Sequence, residues 1–347
     1  MNYRDRNVPA PSVATRPERH KHQVPPGLRP GAAPRAGGAT ASAPVQTPPA
    51  ICVIIAHLNQ PAPLRRCLEA LRAQDFDMSG VEIIVVDNGS RSLPQVAAAG
   101  ACAVVLAEEG TPGPGPARNR GVALTRAPIL AFTDADCLPA PDWLSAIHAR
   151  FAADPGLDIL GGDVRIVTDP AGPLSPAEAF QILFAYRQEF YIARRNFSVT
   201  ANLAVRREVF AAVGPFAGLD TAEDFDWGQR ATRSGRRIVY AAESRVLHPA
   251  RPSMAELRAI WDRHVTHLYN RRAAGLRGRI DWLVRIALVA ASPVLEIPTV
   301  LFSRRVRGAR ARWLAFRGLV DIRLYRALRM AGLLVGGPDG AARWNRG

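Results

Sequence analysis

An α/β fold with a mainly parallel sheet, flanked by helices, follows from three observations. Residues 51–56 are a continuous apolar run and 81–86 one broken only by Glu82, both of strand length and without the alternation of a half-exposed strand. Such runs are typical of central parallel strands covered on both faces. Between them, residues 62–73 place Leu64, Cys67, Leu68 and Leu71 on one helical face,. Strand, helix and strand in that order predict a right-handed crossover. Third, the apolar run 129–133 stops abruptly at two carboxylates, Asp134 and Asp136.

The remaining elements build around these. Residues 1–49 are rich in Pro, Ala, Gly and Arg and hold almost no large apolar side chains, so a disordered tail is expected,. A third strand is expected at 103–106. The loop 110–116, alternating Gly and Pro, then leads into a helix to about residue 125. A glycine-rich loop feeding a helix start is able to approach a phosphate closely, although it matches neither the dinucleotide nor the Walker pattern. A helix over 141–153 and a strand from 157 follow. Residues 175–195 read as one amphipathic helix carrying Phe180, Phe184, Tyr186, Phe190 and Tyr191, and 223–234 as another helix,. A short strand is expected at 245–248.

Net charge is +15, and its distribution matters more than its size. Residues 1–50 carry +5, 51–250 carry −3 and 251–347 carry +13. A slightly acidic body with basic ends speaks against nucleic-acid binding by the body itself. Cys52, Cys67, Cys102 and Cys137 show no paired or Cys-x-x-Cys spacing, so neither a disulfide frame nor a zinc site is expected,. The N-terminus has no apolar stretch of the secretory kind, and a cytoplasmic location is expected,.

Side chains at i and i+2 of a strand point the same way. If strand geometry persists past Thr133, Asp134 and Asp136 face one point, and two hard oxygens there suit Mg²⁺ or Mn²⁺ carrying a diphosphate. A second acidic pair, Glu223-Asp224, opens a predicted helix about 90 residues further on. It fits a separate duty as general base, although acidic residues also favour a first helical turn for electrostatic reasons alone.

Seven segments in order over about 200 residues resemble the family 2 glycosyltransferases. They are Val53 to Asn59, Val85-Val86-Asp87-Asn88-Gly89-Ser90, Gly113 to Gly121 with Ala117-Arg118-Asn119, Asp134-Ala135-Asp136, Ala201 to Arg207, Glu223 to Trp227, and His248. The resemblance implies a GT-A type, Rossmann-like domain over 50–252 that inverts the anomeric carbon of a nucleotide-diphosphate sugar. It implies a hexosyl-type transfer of one sugar to a hydroxyl acceptor, glycan or lipid-linked, in envelope polysaccharide or glycolipid synthesis. It places His57, Asn59, Asp87, Arg118 and Asp134 on the nucleotide sugar. Asp136, Asp134 and His248 fall on a divalent metal, Mg²⁺ or Mn²⁺, and Asp224 with Glu223 on catalysis. Asn202, Arg206 and Trp227 fall on the acceptor side. No Gln-x-x-Arg-Trp element follows His248, so processive polymer synthesis is not supported.

Residues 253–347 form a basic helical extension. Residues 254–272 read as a helix with Leu257, Trp261, Val265 and Leu268 on one face, and its His264 and His267 are read as structural or surface residues. Residues 280–302 are apolar but interrupted by Arg285, Pro293, Glu296 and Pro298, which disfavours a clean membrane-spanning helix,. From 303 onward arginines alternate with Trp313, Leu314, Phe316, Leu319, Ile322, Leu324 and Leu328. That pattern suits a peripheral helix at the inner face of an anionic membrane, and equally one that covers the core, mediates dimerisation or binds nucleic acid. Two rival functions stay open: a sugar nucleotidyltransferase, using Arg118 on a triphosphate, and a non-catalytic membrane or nucleic-acid tether.

Overall fold

The computed structural model describes residues 49–96, 102–169 and 171–336. The Pro/Ala/Arg-rich tail, apart from residue 49, lies outside the described residues. The strands are β1 (Ile51–His57), β2 (Val81–Asp87), β3 (Val104–Glu108), β4 (Ile129–Asp134), β5 (Leu138–Pro139), β6 (Ile159–Val167), β7 (Leu203–Arg206) and β8 (Ile238–Pro249). They form one sheet in the order β3-β2-β1-β4-β7-β6-β8-β5. The pairs β1/β2, β1/β4, β2/β3 and β6/β8 are parallel; β7 runs antiparallel to β4 and β6, and β5 to β8.

Burial on both faces accounts for the unbroken apolar strands. Ile51, Val53 and Ile55 of β1 pack with Leu64, Leu68 and Leu71 of α1 (Pro61–Arg72). Cys52 and Ile54 turn to the other face, in one cluster with Phe210 and Trp227. All these side chains are buried, at about 1.5–3 kcal/mol for each large aliphatic one,. Helices α2 (Pro114–Leu124), α3 (Trp143–Ala153), α6 (Arg207–Val213) and α7 (Glu223–Arg233) complete the two layers.

The amphipathic stretch 175–195 is two helices, α4 (Pro176–Phe184) and α5 (Gln188–Arg195). The break falls at Tyr186, whose φ of 46° is left-handed. Neither Gly nor Pro marks it, and periodicity alone carried the helix through. Strand β8 is also longer than the expected 245–248. Its parallel pairing with β6 shifts register at Gly162/Asp163, which takes up Ala242, Glu243 and Ser244 before Arg245 pairs with Asp163.

Beyond β8 lie α8 (Met254–Asn270), α9 (Gly275–Leu295), α10 (Ile297–Phe302) and α11 (Ala309–Gly336). The inner face of α11, with Ala315, Leu319 and Ile322, packs on Phe180 and Leu183 of α4 and Leu257 of α8. Part of the arginine-rich helix therefore covers the body, while Trp313, Leu324 and Leu328 stay exposed. The interruptions in 280–302 do not break α9 before Leu295: Pro293 sits inside it, and Arg285 and Glu296 leave 275–302 long and apolar enough to cross a membrane. Both histidines of α8 are structural. His264 packs edge-on to Trp261, and His267 hydrogen-bonds the Leu219 carbonyl at 3.0 Å.

Candidate active site

The carboxyl ends of β1, β2 and β4 lie side by side, with His57 in register with Asp87 and Ala56 with Asp134. At β1/β2, His57 Nε2 accepts the Gln60 N–H at 3.1 Å. Its Nδ1 must then carry the proton, which it donates to Asp87 Oδ1 at 2.8 Å,. Asp87 also accepts from the Ser90 hydroxyl and from the Gly89 and Ser90 N–H groups. Burial raises the Asp87 pKa, but these bonds outweigh it and hold the carboxyl below its ordinary value. Asn59, at a left-handed φ of 52°, accepts the Arg91 N–H. His57, Asn59 and Asp87 thus form one wall, in which both Asp87 oxygens are already engaged.

The Gly/Pro loop is closed rather than open. Gly113 adopts φ 124° and donates to Asn88 Oδ1 at 2.7 Å. A Cβ on Gly115 would run into the Ala217 carbonyl, and Asn119 exchanges two 2.9 Å hydrogen bonds with the Phe216 backbone. Gly113 and Gly115 serve close packing of α2 against 215–219.

Helix α2 supplies Arg118, whose side chain is 4% exposed. It donates to Asp134 Oδ1 at 2.6 Å and to Glu223 Oε1 at 3.0 Å. Burial alone would lower its pKa, and the two carboxylates raise it above the ordinary value. The two acidic motifs, distant in sequence, are therefore joined through one guanidinium. Glu223 is tied to it, whereas half-buried Asp224, among the described residues, receives only the Phe225 N–H at 2.7 Å. Burial and the adjacent Glu223 charge push Asp224 up to about 7, near the value a general base needs at neutral pH,.

Asp134 and Asp136 do not face one point. Strand β4 ends at Asp134, and the Cys137 N–H closes a turn onto the Asp134 carbonyl at 3.0 Å. Asp134 goes to Arg118, and Asp136 turns toward His248, 3.5 Å away. The antiparallel pair β5/β8 sets Leu138 opposite Leu247 and so delivers His248 to this turn. Asp136, Cys137 and His248 form the potential metal-ligand group here, and Asp134 is not part of it. His248 Nδ1 lies 2.8 Å from the Pro249 carbonyl, so it carries the proton and Nε2 keeps its lone pair,. That nitrogen is bonded by the Tyr186 hydroxyl at 3.0 Å. Carboxylate and imidazole fit a divalent cation, Mn²⁺ somewhat better than Mg²⁺. Burial, and then the Asp134 and Asp136 charges, push the Cys137 thiol pKa up.

Three expected acceptor-side residues are committed elsewhere. Asn202 is buried, accepting from Trp143 Nε1 and donating to the Asp163 and Ser244 carbonyls, each at 2.9 Å. Arg206 lies in register with Ile129, at the opposite end of β4 from Asp134, and binds the Leu157, Phe151 and Asp154 carbonyls. Trp227 is buried against Phe210 and Phe216, with Nε1 on the Gly214 carbonyl. Tyr186 is the site residue that sequence reasoning read only as part of a packed helix face. Its position depends on the α4–α5 break.

A mixed eight-stranded sheet flanked by helices, with carboxylates gathered at its strand ends, matches the GT-A class of fold. The profile described as "Glycosyl transferase family 2" matches residues 52–214. The glycosyltransferase AglE of Haloferax volcanii is 34% identical over 212 residues, 59% of this chain and 69% of that protein. The chain belongs to glycosyltransferase family 2 and is a glycosyltransferase. It is also 26% identical over 214 residues to the pre-mycofactocin glycosyltransferase of Mycobacterium tuberculosis, spanning 59% of this chain and 44% of that protein. In fold it is similar to a mannosyltransferase from Pyrobaculum calidifontis solved with GDP-mannose and Mn²⁺. The TM-score is 0.51 at 18% identity, over 84% of this chain and 88% of that one.

Proposed function

We propose that this protein moves one sugar from a nucleotide-diphosphate sugar to a hydroxyl, with inversion, and that Asp224 is the general base. One observation carries the reading. Arg118 pairs with Asp134 and Glu223 together and leaves Asp224 as the carboxylate without an ion pair among the described residues, partly desolvated beside them. A weakly acidic hydroxyl needs such a group within hydrogen-bond reach as it attacks. Glu223 and Arg118 position the base, and His57, Asn59 and Asp87 receive the nucleotide. Arg118 is not free for a triphosphate without breaking two ion pairs, which disfavours nucleotidyl transfer.

Asp136 and His248 would hold a divalent cation, whose contribution is to offset charge developing on the departing nucleoside diphosphate. Glycan and lipid-linked acceptors are both compatible with this centre. We place the enzyme on the cytoplasmic face of an anionic membrane, in envelope glycan or glycolipid synthesis. Support comes from Leu276, Leu283, Leu288, Leu295 and Phe302, all exposed along α9 and α10, beside a region of net charge +13,.

The test is nucleoside diphosphate release from a panel of nucleotide sugars, with Mn²⁺, Mg²⁺ or chelator. Release from one donor that needs the cation and is lost in Asp224→Asn and Asp136→Asn supports the reading. Release unaffected by Asp224→Asn rules Asp224 out as the base.

A further inference from the structure

Residues 275–302 are long and apolar enough to cross a membrane, yet the helices before and after them are held to each other and to the same body. Ala315, Leu319 and Ile322 of α11 are buried against Phe180 and Leu183 of α4 and Leu257 of α8. Arg258 of α8 donates to Asp321 of α11 at 2.6 Å, and the Tyr325 hydroxyl of α11 donates to Asp262 of α8 at 2.9 Å. A single crossing by 275–302 would put α8 and α11 on opposite sides of a bilayer and undo every one of these contacts. The stretch itself is docked at both ends. Trp282, near its start, donates its Nε1–H to the Met330 carbonyl of α11 at 2.9 Å and meets the Tyr269 ring of α8 edge-on at 5.3 Å. Val300, near its end, is buried in the cluster formed by α4 and α11.

The other face is open. Leu276, Ile280, Leu283, Ala287 and Val294 are exposed and recur at steps of three, four or seven residues, so they form one stripe along α9,. Phe302, 81% exposed, closes it on α10. At 1.5 Å per residue the stripe runs about 40 Å. Exposed Arg277, Arg279, Arg285, Arg304, Arg305 and Arg307 lie along it and at its ends, and the acidic residues within the stretch are Asp281 and Glu296. That balance complements anionic headgroups. It counts against a second copy of the chain as the cover, because a two-fold contact through the stripe would set like charges face to face. Arg285 decides the pose. In a crossing helix, ten residues beyond Gly275, it would lie about 15 Å deep, at the hydrocarbon centre. On a helix lying flat it stays among the headgroups.

We propose that α9 and α10 lie flat in the plane of an anionic bilayer, with the stripe in the outermost acyl layer and the catalytic body and α11 on the same side. The inference rests on the membrane placement proposed above and goes beyond it by assigning a one-sided seat instead of a crossing. The seat is joined to the base by one helix. α8, which meets α9 through Tyr269 and Trp282, also sets Arg271 over the Phe225 ring at 5.4 Å, and Phe225 follows Asp224.

Cys52, Cys67, Cys102 and Cys137 are buried, so a cysteine introduced on the stripe is labelled selectively in the full chain. Leu276→Cys, Ala287→Cys and Phe302→Cys, each checked for an unchanged melting temperature, would carry a nitroxide on vesicles containing phosphatidylglycerol. Depth is read from collisions with oxygen and with a water-soluble nickel chelate. A flat seat gives three equal depths, about 5–10 Å into the boundary between headgroups and acyl chains. A crossing sets Ala287 roughly 15 Å deeper than the other two and overturns the proposal. Ala287 labels that couple to one another and stay out of reach of lipid give the stripe to a second copy, which overturns it as well. Wild type should bind these vesicles at least about tenfold more tightly than pure phosphatidylcholine ones, and equal binding overturns the anionic partner. Absence of vesicle binding removes the membrane placement itself, whereas binding with a crossing profile removes the flat seat alone.

Discussion

The sheet and the helical layer behind it solve opposite problems. In the sheet, most polar groups are matched within the chain, the Nε atoms of Arg118 and Arg245 being exceptions. Asp87 collects four donors, Asn202 bridges three elements, and Arg118 is shared by two carboxylates. In the layer formed by α9, α10 and α11, apolar side chains face outward and arginine Nε atoms stay unmatched. A sequence whose polar groups are satisfied internally explains itself. One that leaves leucines and guanidiniums outward is explained by what it meets, here an anionic and apolar surface.

The contrast can be broken from either side. The largest effect is expected within the sheet half. Asp224→Asn should lower turnover by about 10²–10⁴ while leaving donor affinity near wild type, measured as kcat against the donor dissociation constant. Next, Arg118→Met strands Asp134 and Glu223 against each other. It should cost roughly 3–5 kcal/mol of stability in urea unfolding. The pH profile sharpens the assignment. Asp224 acts deprotonated and its pKa is raised to about 7 by burial and by Glu223, so kcat should fall about tenfold per pH unit below that value,. A flat acid limb would remove Asp224 from the mechanism. The helical layer should respond differently: Leu283→Gln/Leu288→Gln should change stability by only about 0.5 kcal/mol or less per site. Co-sedimentation with anionic vesicles should nevertheless drop, and equal co-sedimentation would take α9 out of the membrane contact.

How far the sequence could be read tracks the same division. β1, β2 and β4 were legible because their whole environment is interior, so an unbroken apolar run has one good meaning. Asp87, Asp136, Asp224 and His248 stood out because their motifs sit at strand ends and a helix start. What was not legible depends on partners remote in sequence. That Arg118 would bridge Asp134 and Glu223, rather than lie free beside a nucleotide, requires α2 and α7 to be brought together. The helix break at Tyr186 has no Gly or Pro to announce it. Asn202 and Arg206 lie in a family-like segment, yet the geometry spends their donors on backbone carbonyls.

The Tyr186 hydroxyl has a consequence for occupancy. It sits on the one lone pair that His248 turns toward Asp136. A lone pair serves a single partner, so the resting chain carries its own competitor for that position. The tyrosine must let go before His248 can serve anything else, and letting go sacrifices a hydrogen bond worth about 1 kcal/mol.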